Sequence, residues 1–298
     1  MFKPQAAYRV RQNTNTDTPI PPDEAAGVNP PDVAIIDYML AADAPGRVTL
    51  DILDAAGRLV RRYASDDPIE RADPTTAPVP VYWYRPPQTL SAATGLHRFL
   101  WDLHYQPLGG VGGRGGLPIA AVPHDTPPAP TSPWAAPGQY TVKLTVGGKS
   151  DTQPLTVKMD PRVTTPAFGL AQQFTLSKQL YDGTLAAQKA RDEARALREH
   201  ASAAPGDRRS DLLKRIDALD GQAPAGFGGG RGGAAEGPET LATIIGSLAQ
   251  LMNLLQGADV MPTTQLVAAV GERRAALGKV LARWTALKAD ARSLGVTP

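Results

Sequence analysis

Proline is spread unevenly along this chain, and that asymmetry limits what the chain can fold into. Of 29 prolines, 22 lie within residues 1–160, together with 12 of the 17 aromatic residues. Proline lacks a backbone donor and breaks helix interiors, so this part is confined to short extended segments between turns. Residues 161–298 hold seven prolines and long Ala- and Leu-rich stretches with helical spacing. The change falls at Met159-Asp160-Pro161-Arg162. An α+β chain in separate segments is expected: an extended N-terminal linker over 1–32, a β region over 33–160 and a helical region over 161–298.

Within the β region, polar and apolar residues alternate over Ala34–Leu40, Val48–Ile52, Arg58–Tyr63, His97–Tyr105, Tyr140–Val146 and Leu155–Met159. A further short strand is expected near Val81–Tyr84. Asp54-Ala55-Ala56-Gly57 and Gly147-Gly148 are turn signals with glycine where a positive φ is needed. About seven short antiparallel strands predict a β-sandwich of immunoglobulin-like type. Its expected core is Ile36, Tyr38, Leu50, Ile52, Phe99, Trp101, Tyr140, Val142 and Leu144. Residues 106–137 read as one long Gly/Pro-rich insertion between two strands.

The second region predicts four helices, forming a helical hairpin or small antiparallel bundle. The first carries Leu170, Phe174, Leu180, Tyr181 and Leu185 near one stripe and runs on towards Leu197. The second spans about Asp207–Leu219. The third follows Pro238 with Leu241, Ile244, Ile245, Leu248, Leu251, Met252 and Leu255. The fourth opens at Pro262-Thr263-Thr264, where a threonine caps it, and includes Trp284 as a core residue. Two glycine tracts, Gly109–Gly116 and Gly226–Gly233, read as flexible loops, the second within a Gly-rich loop over 221–237.

Composition excludes several functions. The chain has no Cys, so disulfides, thiol nucleophiles and thiolate metal sites are absent. Net charge is +2, so nucleic acid is not an expected partner, and a single Arg in each glycine tract does not alter that. No apolar run is long enough to span a membrane, and Met1-Phe2-Lys3-Pro4 lacks a signal-peptide core. Gly148-Lys149-Ser150 resembles the end of a phosphate loop, but Lys143 stands where the pattern needs Gly and strands flank it, so a hairpin turn is expected. No cofactor is implied.

Four histidines are present: His97, His104, His124 and His200. His97 shares a strand face with Phe99 and Trp101 and reads as a hydrogen-bonded core histidine. His104, His124 and Asp125 could together hold a metal, although core and loop roles are the simpler reading. Asp51, Asp66, Asp67 and Asp102 contain enough carboxylates for acid–base hydrolysis, but any sandwich carries such acids at strand edges and turns. No nucleophile-elbow pattern accompanies them, and no catalytic residue is assigned. The stronger hint is aromatic. Tyr82, Trp83, Tyr84 and Trp134, with His124 and Asp125 nearby, are the candidate ligand-binding residues, because exposed rings stack on sugars or peptide side chains. The alternative is that these rings fill the sandwich.

Two sets of residues carry a likeness to known proteins. Val48-Thr49-Leu50-Asp51-Ile52 with the Gly57 turn, Gly95-Leu96-His97-Arg98-Phe99-Leu100-Trp101-Asp102 and Pro137-Gly138-Gln139-Tyr140 resemble the immunoglobulin-like module of flagellar hook-capping proteins and of many secreted bacterial enzymes. Tyr8-Arg9-Val10-Arg11, Asn29-Pro30-Pro31-Asp32, Tyr84-Arg85-Pro86-Pro87, Ala120-Ala121-Val122-Pro123-His124 and Met159-Asp160-Pro161-Arg162 resemble the C-terminal region of bacterial sortilin-like, sialidase-repeat β-propeller proteins, often labelled glycosyl hydrolases. This chain has no propeller repeat, which leaves Met1 to be read as an internal start or a truncated gene product. The resemblance implies a non-catalytic accessory region of an exported, secreted or periplasmic, protein. Its implied partner is a β-propeller, in cis or in trans. The alternative is a glycan-binding or hydrolase-associated module.

Overall fold

The computed structural model describes residues 1–11, 18–21, 23–25, 27, 30–69, 71–75, 77–109, 119–127, 130–202, 207–221 and 239–296. Most of both glycine tracts, Asn29, and Pro128-Ala129 of the Pro-rich run lie outside the described residues. The chain forms two compact units, Met1–Pro107 with Gly113–Thr165, and Leu108–Gly112 with Pro166–Pro298.

Among the described residues the first unit holds seven strands: β1 (Ala7–Arg9), β2 (Ala34–Leu40), β3 (Val48–Leu53), β4 (Leu59–Ala64), β5 (Gly95–Trp101), β6 (Gly138–Val146) and β7 (Lys149–Met159). Five form a sheet in the order β1-β7-β6-β3-β4, and β2 pairs with β5 in a separate ribbon. All pairs are antiparallel except β1 with β7, which makes the larger sheet mixed. The two sheets meet through aromatic edges, Phe99 on Tyr63 and Trp101 on Tyr140, with ring centroids 4.6 and 5.5 Å apart. All nine expected core residues are buried. The Asp54–Gly57 turn forms as its residues suggest. Asp54 accepts from Ala56 N and Arg58 N, and Gly57 takes φ +76°. Gly147 and Gly148 both adopt positive φ, the two-residue hairpin that joins β6 to β7, and Gly148-Lys149-Ser150 opens a strand.

Three features depart from the expected strands. Val81–Trp83 is a 3-10 turn, with Trp83 N bonded to Pro80 O and Tyr84 N to Val81 O. Proline fixes φ at −52° just before it, which favours a tight turn over an extended segment. The strand expected to run to Tyr105 stops at Trp101. There the Asp102 side chain accepts from His104 N, and Leu103 swings to φ 57°, so Leu103, His104 and Tyr105 are all buried in place of alternating. The third departure is β1, which has no alternation long enough to mark it. It exists because three residues fit the open edge of β7.

The second unit contains α1 (Ala167–Ser202), α2 (Asp207–Asp220), α3 (Leu241–Leu255) and α4 (Thr264–Ser293). Thr263 caps α4 by accepting from Leu266 N, and Thr240 forms a capping box with Thr243 at α3. Trp284 is buried in a cluster with Ala190, Ala194, Leu197, Ile216 and Leu287. Leu185, expected on the apolar stripe of α1, is exposed. The buried face of α1 mixes the expected Leu180, Tyr181 and Leu197 with small and polar residues, among them Gly169, Gln173, Ser177, Thr184 and Ala187, and Gly183 lets α3 and α4 approach closely. No helix among the described residues is long and apolar enough to cross a membrane.

Candidate functional site

Five of the six aromatic-site candidates converge on one clasp between two segments 40 residues apart. The Val81–Trp83 turn leads into Tyr84, which bridges Thr126 in parallel. Tyr82 O accepts from His124 N at 3.0 Å and Trp83 O from Thr126 N at 3.0 Å. Thr126 O accepts from Arg85 N at 2.8 Å, and the wholly buried Thr126 hydroxyl accepts from Ala120 N at 3.0 Å. Arg85 then closes the clasp from outside, its Nε and Nη2 donating to Asp125 Oδ1 at 3.0 and 2.7 Å. Pro86 and Pro87 follow directly and keep Arg85 out of the helical region.

On this frame the rings stand out from the protein. Tyr82 is 50% exposed. Trp83 stands perpendicular to it, with centroids 6.4 Å apart, and His124 lies 6.2 Å away at 64°. His124 is held at φ 66°, a left-handed conformation that a non-glycine residue adopts at a cost of about 1 kcal/mol. That cost is met by the bond from its N–H to Tyr82 O, and the result places the imidazole against the Tyr82 ring. Tyr84 is half-buried, and burial pushes its hydroxyl pKa up. None of the three aromatics at 82–84 fills the core. Arg85 and Thr126 were missed by the sequence reading. Nothing local marks them, because their role exists only once the two segments meet.

Trp134, the sixth candidate, lies elsewhere. It bridges His104 in antiparallel fashion and packs its indole 4.0 Å from the imidazole. The guanidinium groups of Arg9 and Arg11 lie over the same indole at 5.9 and 6.0 Å. His104 is buried, bonded through Nδ1 to Asp102 O at 2.7 Å, and its burial pushes its pKa down.

His104 is therefore packed against Trp134, while His124 and Asp125 belong to the clasp. Among the described residues no group of three His, Asp or Glu side chains could hold a metal ion. His97 does share the face of Phe99 but is only half-buried, bonding Ala93 O at 2.7 Å beside the Tyr38 ring. The carboxylates considered for acid–base work have structural duties. Asp51 holds Arg62 through both oxygens, Asp66 pairs with Arg47, Asp67 accepts from Ala64 N and Asp102 from His104 N.

Comparison of the chain with protein-family models, with curated proteins and with solved structures finds no match.

Proposed function

We propose that this chain is a non-catalytic accessory region of an exported bacterial protein, in which an immunoglobulin-like β unit is followed by a helical unit. It engages a β-propeller, in cis or in trans, through the Tyr82 clasp. The observation that carries this reading is the clasp itself. A half-exposed tyrosine, with two further rings standing edge-on to it, is held by three main-chain bonds, the Thr126 hydroxyl and an ion pair. Rigid exposed aromatics are the side chains that anchor interfaces, because they bury much area at little entropic cost. The structural engagement of Asp51, Asp66, Asp67, Asp102 and His104 supports binding over catalysis. Two facing sheets of seven strands support the immunoglobulin-like reading, although the strands divide five and two. The propeller partner rests on the sequence resemblance.

A second reading has its own support. A flat ring flanked by polar groups, here Tyr82 beside His124, also suits a sugar face. One experiment separates the two. The chain is titrated, with tryptophan fluorescence and heat as readouts, against a recombinant propeller of a bacterial sortilin-like protein and against neutral oligosaccharides. Saturable binding of the propeller, weakened about tenfold or more in Tyr82→Ala, is expected. Oligosaccharide binding lost in the same variant would favour the glycan reading. Binding unaffected by Tyr82→Ala, or turnover of a glycoside by the chain, would overturn the proposal.

A further inference from the structure

Among the described residues the β2–β5 ribbon leaves a short stretch of the β5 edge open, and its chemistry fits a second copy of itself. Leu100 shows which way the edge faces. Its N–H donates to Gln88 Oε1 at 2.9 Å and its carbonyl accepts from Gln88 Nε2 at 3.5 Å, so a side-chain amide sits where a neighbouring strand's peptide would. Peptide groups alternate along a strand, so those of Arg98 and Leu96 point the same way. Neither has a backbone partner on that side among the described residues. The stretch is bounded at its other end by Thr94, whose N–H goes to Asp43 Oδ1.

The segment between Gln88 and β5 does not cover this edge. Ser91 O accepts from the Tyr38 hydroxyl, Ala92 O from Ala44 N, and the Thr94 hydroxyl donates to Leu40 O. Tyr38 is buried on the inner face, so the segment crosses beneath the ribbon towards β2. Other edge strands each receive a main-chain bond from a neighbouring segment. The outer edge of β2 receives Phe2 N at Asp37 O, and β4 receives Gln106 N at Val60 O. Exposed edges usually carry charge or proline as a defence against pairing. Here the outer face beside the edge carries Leu96, 70% exposed, directly opposite Met39, 61% exposed.

We propose that β5 pairs antiparallel with β5 of a second copy about a two-fold axis at His97. Leu96 then faces Arg98 of the copy twice over, giving four main-chain bonds between two self-complementary edges and a continuous four-stranded sheet. Charge does not oppose this, because Arg98 is already bound through two donors to Asp37 at 2.9 and 3.0 Å. The aliphatic stem of Arg98 covers Leu96 of the copy. Gln88 on each chain ends the pairing at Leu100. So short a contact makes a weak, concentration-dependent dimer rather than an obligate one.

The test uses the whole chain. Sedimentation equilibrium from micromolar to sub-millimolar concentration is expected to show the mass rising from 31.4 kDa towards twice that value. Leu96→Lys, at an exposed position, adds an unpaired cation to each side of the axis and removes the apolar side chain that the Arg98 stem of the copy covers, and is expected to keep the mass monomeric with an unchanged melting temperature. The axis gives an independent readout, since residues 97 of the two copies would face each other as a non-hydrogen-bonded pair about 4.5 Å apart. The chain has no Cys, so His97→Cys should form a disulfide dimer under mild oxidation far faster than Leu59→Cys, an exposed control on β4. A monomeric mass throughout would overturn the proposal. So would a dimer that survives Leu96→Lys, or crosslinking of His97→Cys no faster than the control.

Discussion

His104 gives its Nδ1 proton to the carbonyl of Asp102 at 2.7 Å and lays its ring 4.0 Å from the indole of Trp134. A carbonyl oxygen only accepts, so Nδ1 carries the hydrogen and Nε2 is bare. Nε2 is buried with no hydrogen-bond partner. A second proton would place a charge in a dry site near the Arg61 and Arg9 guanidiniums. Burial is the larger cause of the lowered pKa, the Asp102 carboxylate opposes it, and the two arginines add to it.

This arrangement makes stability depend on pH. The folded-state pKa lies below the ordinary value of 6.5, so the unfolded chain binds the proton more readily. The contribution of neutral His104 is fully present above pH 6.5 and is lost as pH falls from there through the folded-state value. Urea melts at a series of pH values between neutral and mildly acidic should show stability falling with acid. In His104→Phe, which keeps a ring against Trp134, that slope should shrink. An equal slope in both proteins would remove His104 as its source.

Trp101 joins this turn to the core. It is fully buried, meets Tyr140 edge-on and donates Nε1 to His104 O at 3.0 Å. Trp101→Ala is expected to cost about 3–5 kcal/mol by cavity formation. Trp101→Phe retains most of the area but leaves His104 O without its donor, at about 1–3 kcal/mol. Denaturant melts measure both, and a loss under about 1 kcal/mol for the alanine variant would contradict the packing described.

Two arginine–aspartate pairs of the β3–β4 hairpin should respond very differently. Asp51 is 6% exposed and takes both bonds of Arg62, at 2.6 and 2.8 Å. Arg62→Ala strands a buried carboxylate and should cost about 1–3 kcal/mol. Arg58, on the hairpin turn with Asp54, is largely in solvent. Arg58→Ala should cost no more than about 1 kcal/mol, and less in high salt. Similar losses for both variants would mean that Asp51 is better solvated than its position implies.

What could be read in the sequence follows from how local each determinant is. Alternation over Val48–Ile52 and Tyr140–Val146, the Gly57 and Gly147-Gly148 turns and the Thr263 cap act within a few residues, and all are observed. β1 is three residues stabilised by the edge of β7, so nothing within it signals a strand. The stop after Trp101 depends on Asp102 outcompeting the ladder for His104 N, a contest that alternation does not reveal. On α1, Leu180 and Tyr181 are buried as expected and Leu185 is not, because the buried face continues through Thr184 and Ala187, residues that a hydrophobicity count passes over. The aromatic candidates at 82–84 and His124 with Asp125 were visible as residue types, whereas their meeting was not. Trp134 resembled them in type and went to His104 instead.

Gly183 lies where α1 comes close to both α3 and α4. A Cβ built there would stand 2.9 Å from Leu277 Cδ2 and 3.5 Å from Leu248 Cδ1, on α4 and α3. Gly183→Leu should destabilise by about 1–3 kcal/mol, although glycine in a helix interior is otherwise unfavourable. Gly183→Ala should fall well short of that, since about 1 kcal/mol of helix propensity offsets the displaced Leu277 methyl. A leucine variant as stable as wild type would show that α1 does not come so near its neighbours.

The last expectation concerns Thr126, which ties the aromatic platform together while touching none of its rings in the contacts described. Its hydroxyl accepts from Ala120 N, its N–H donates to Trp83 O and its carbonyl accepts from Arg85 N. Thr126→Val preserves shape and both main-chain bonds but removes the hydroxyl acceptor, leaving Ala120 N–H unpaired at a cost of about 1–3 kcal/mol. That penalty falls on the clasp alone, because the core of the β unit is sealed by Phe99 and Trp101 against Tyr63 and Tyr140. Local opening should therefore become easier, and global unfolding by the same amount, because the clasp is open in both. Hydrogen exchange in rising urea separates the two openings. In the variant, amides at His124, Thr126 and Arg85 should exchange through an opening that urea hardly accelerates, and those at Leu50 and Val142 only through the global, urea-sensitive one. A single urea-sensitive opening shared by all five amides would mean that the clasp and the sheets open as one, and that Tyr82 is carried by the whole unit rather than by a separately built ledge.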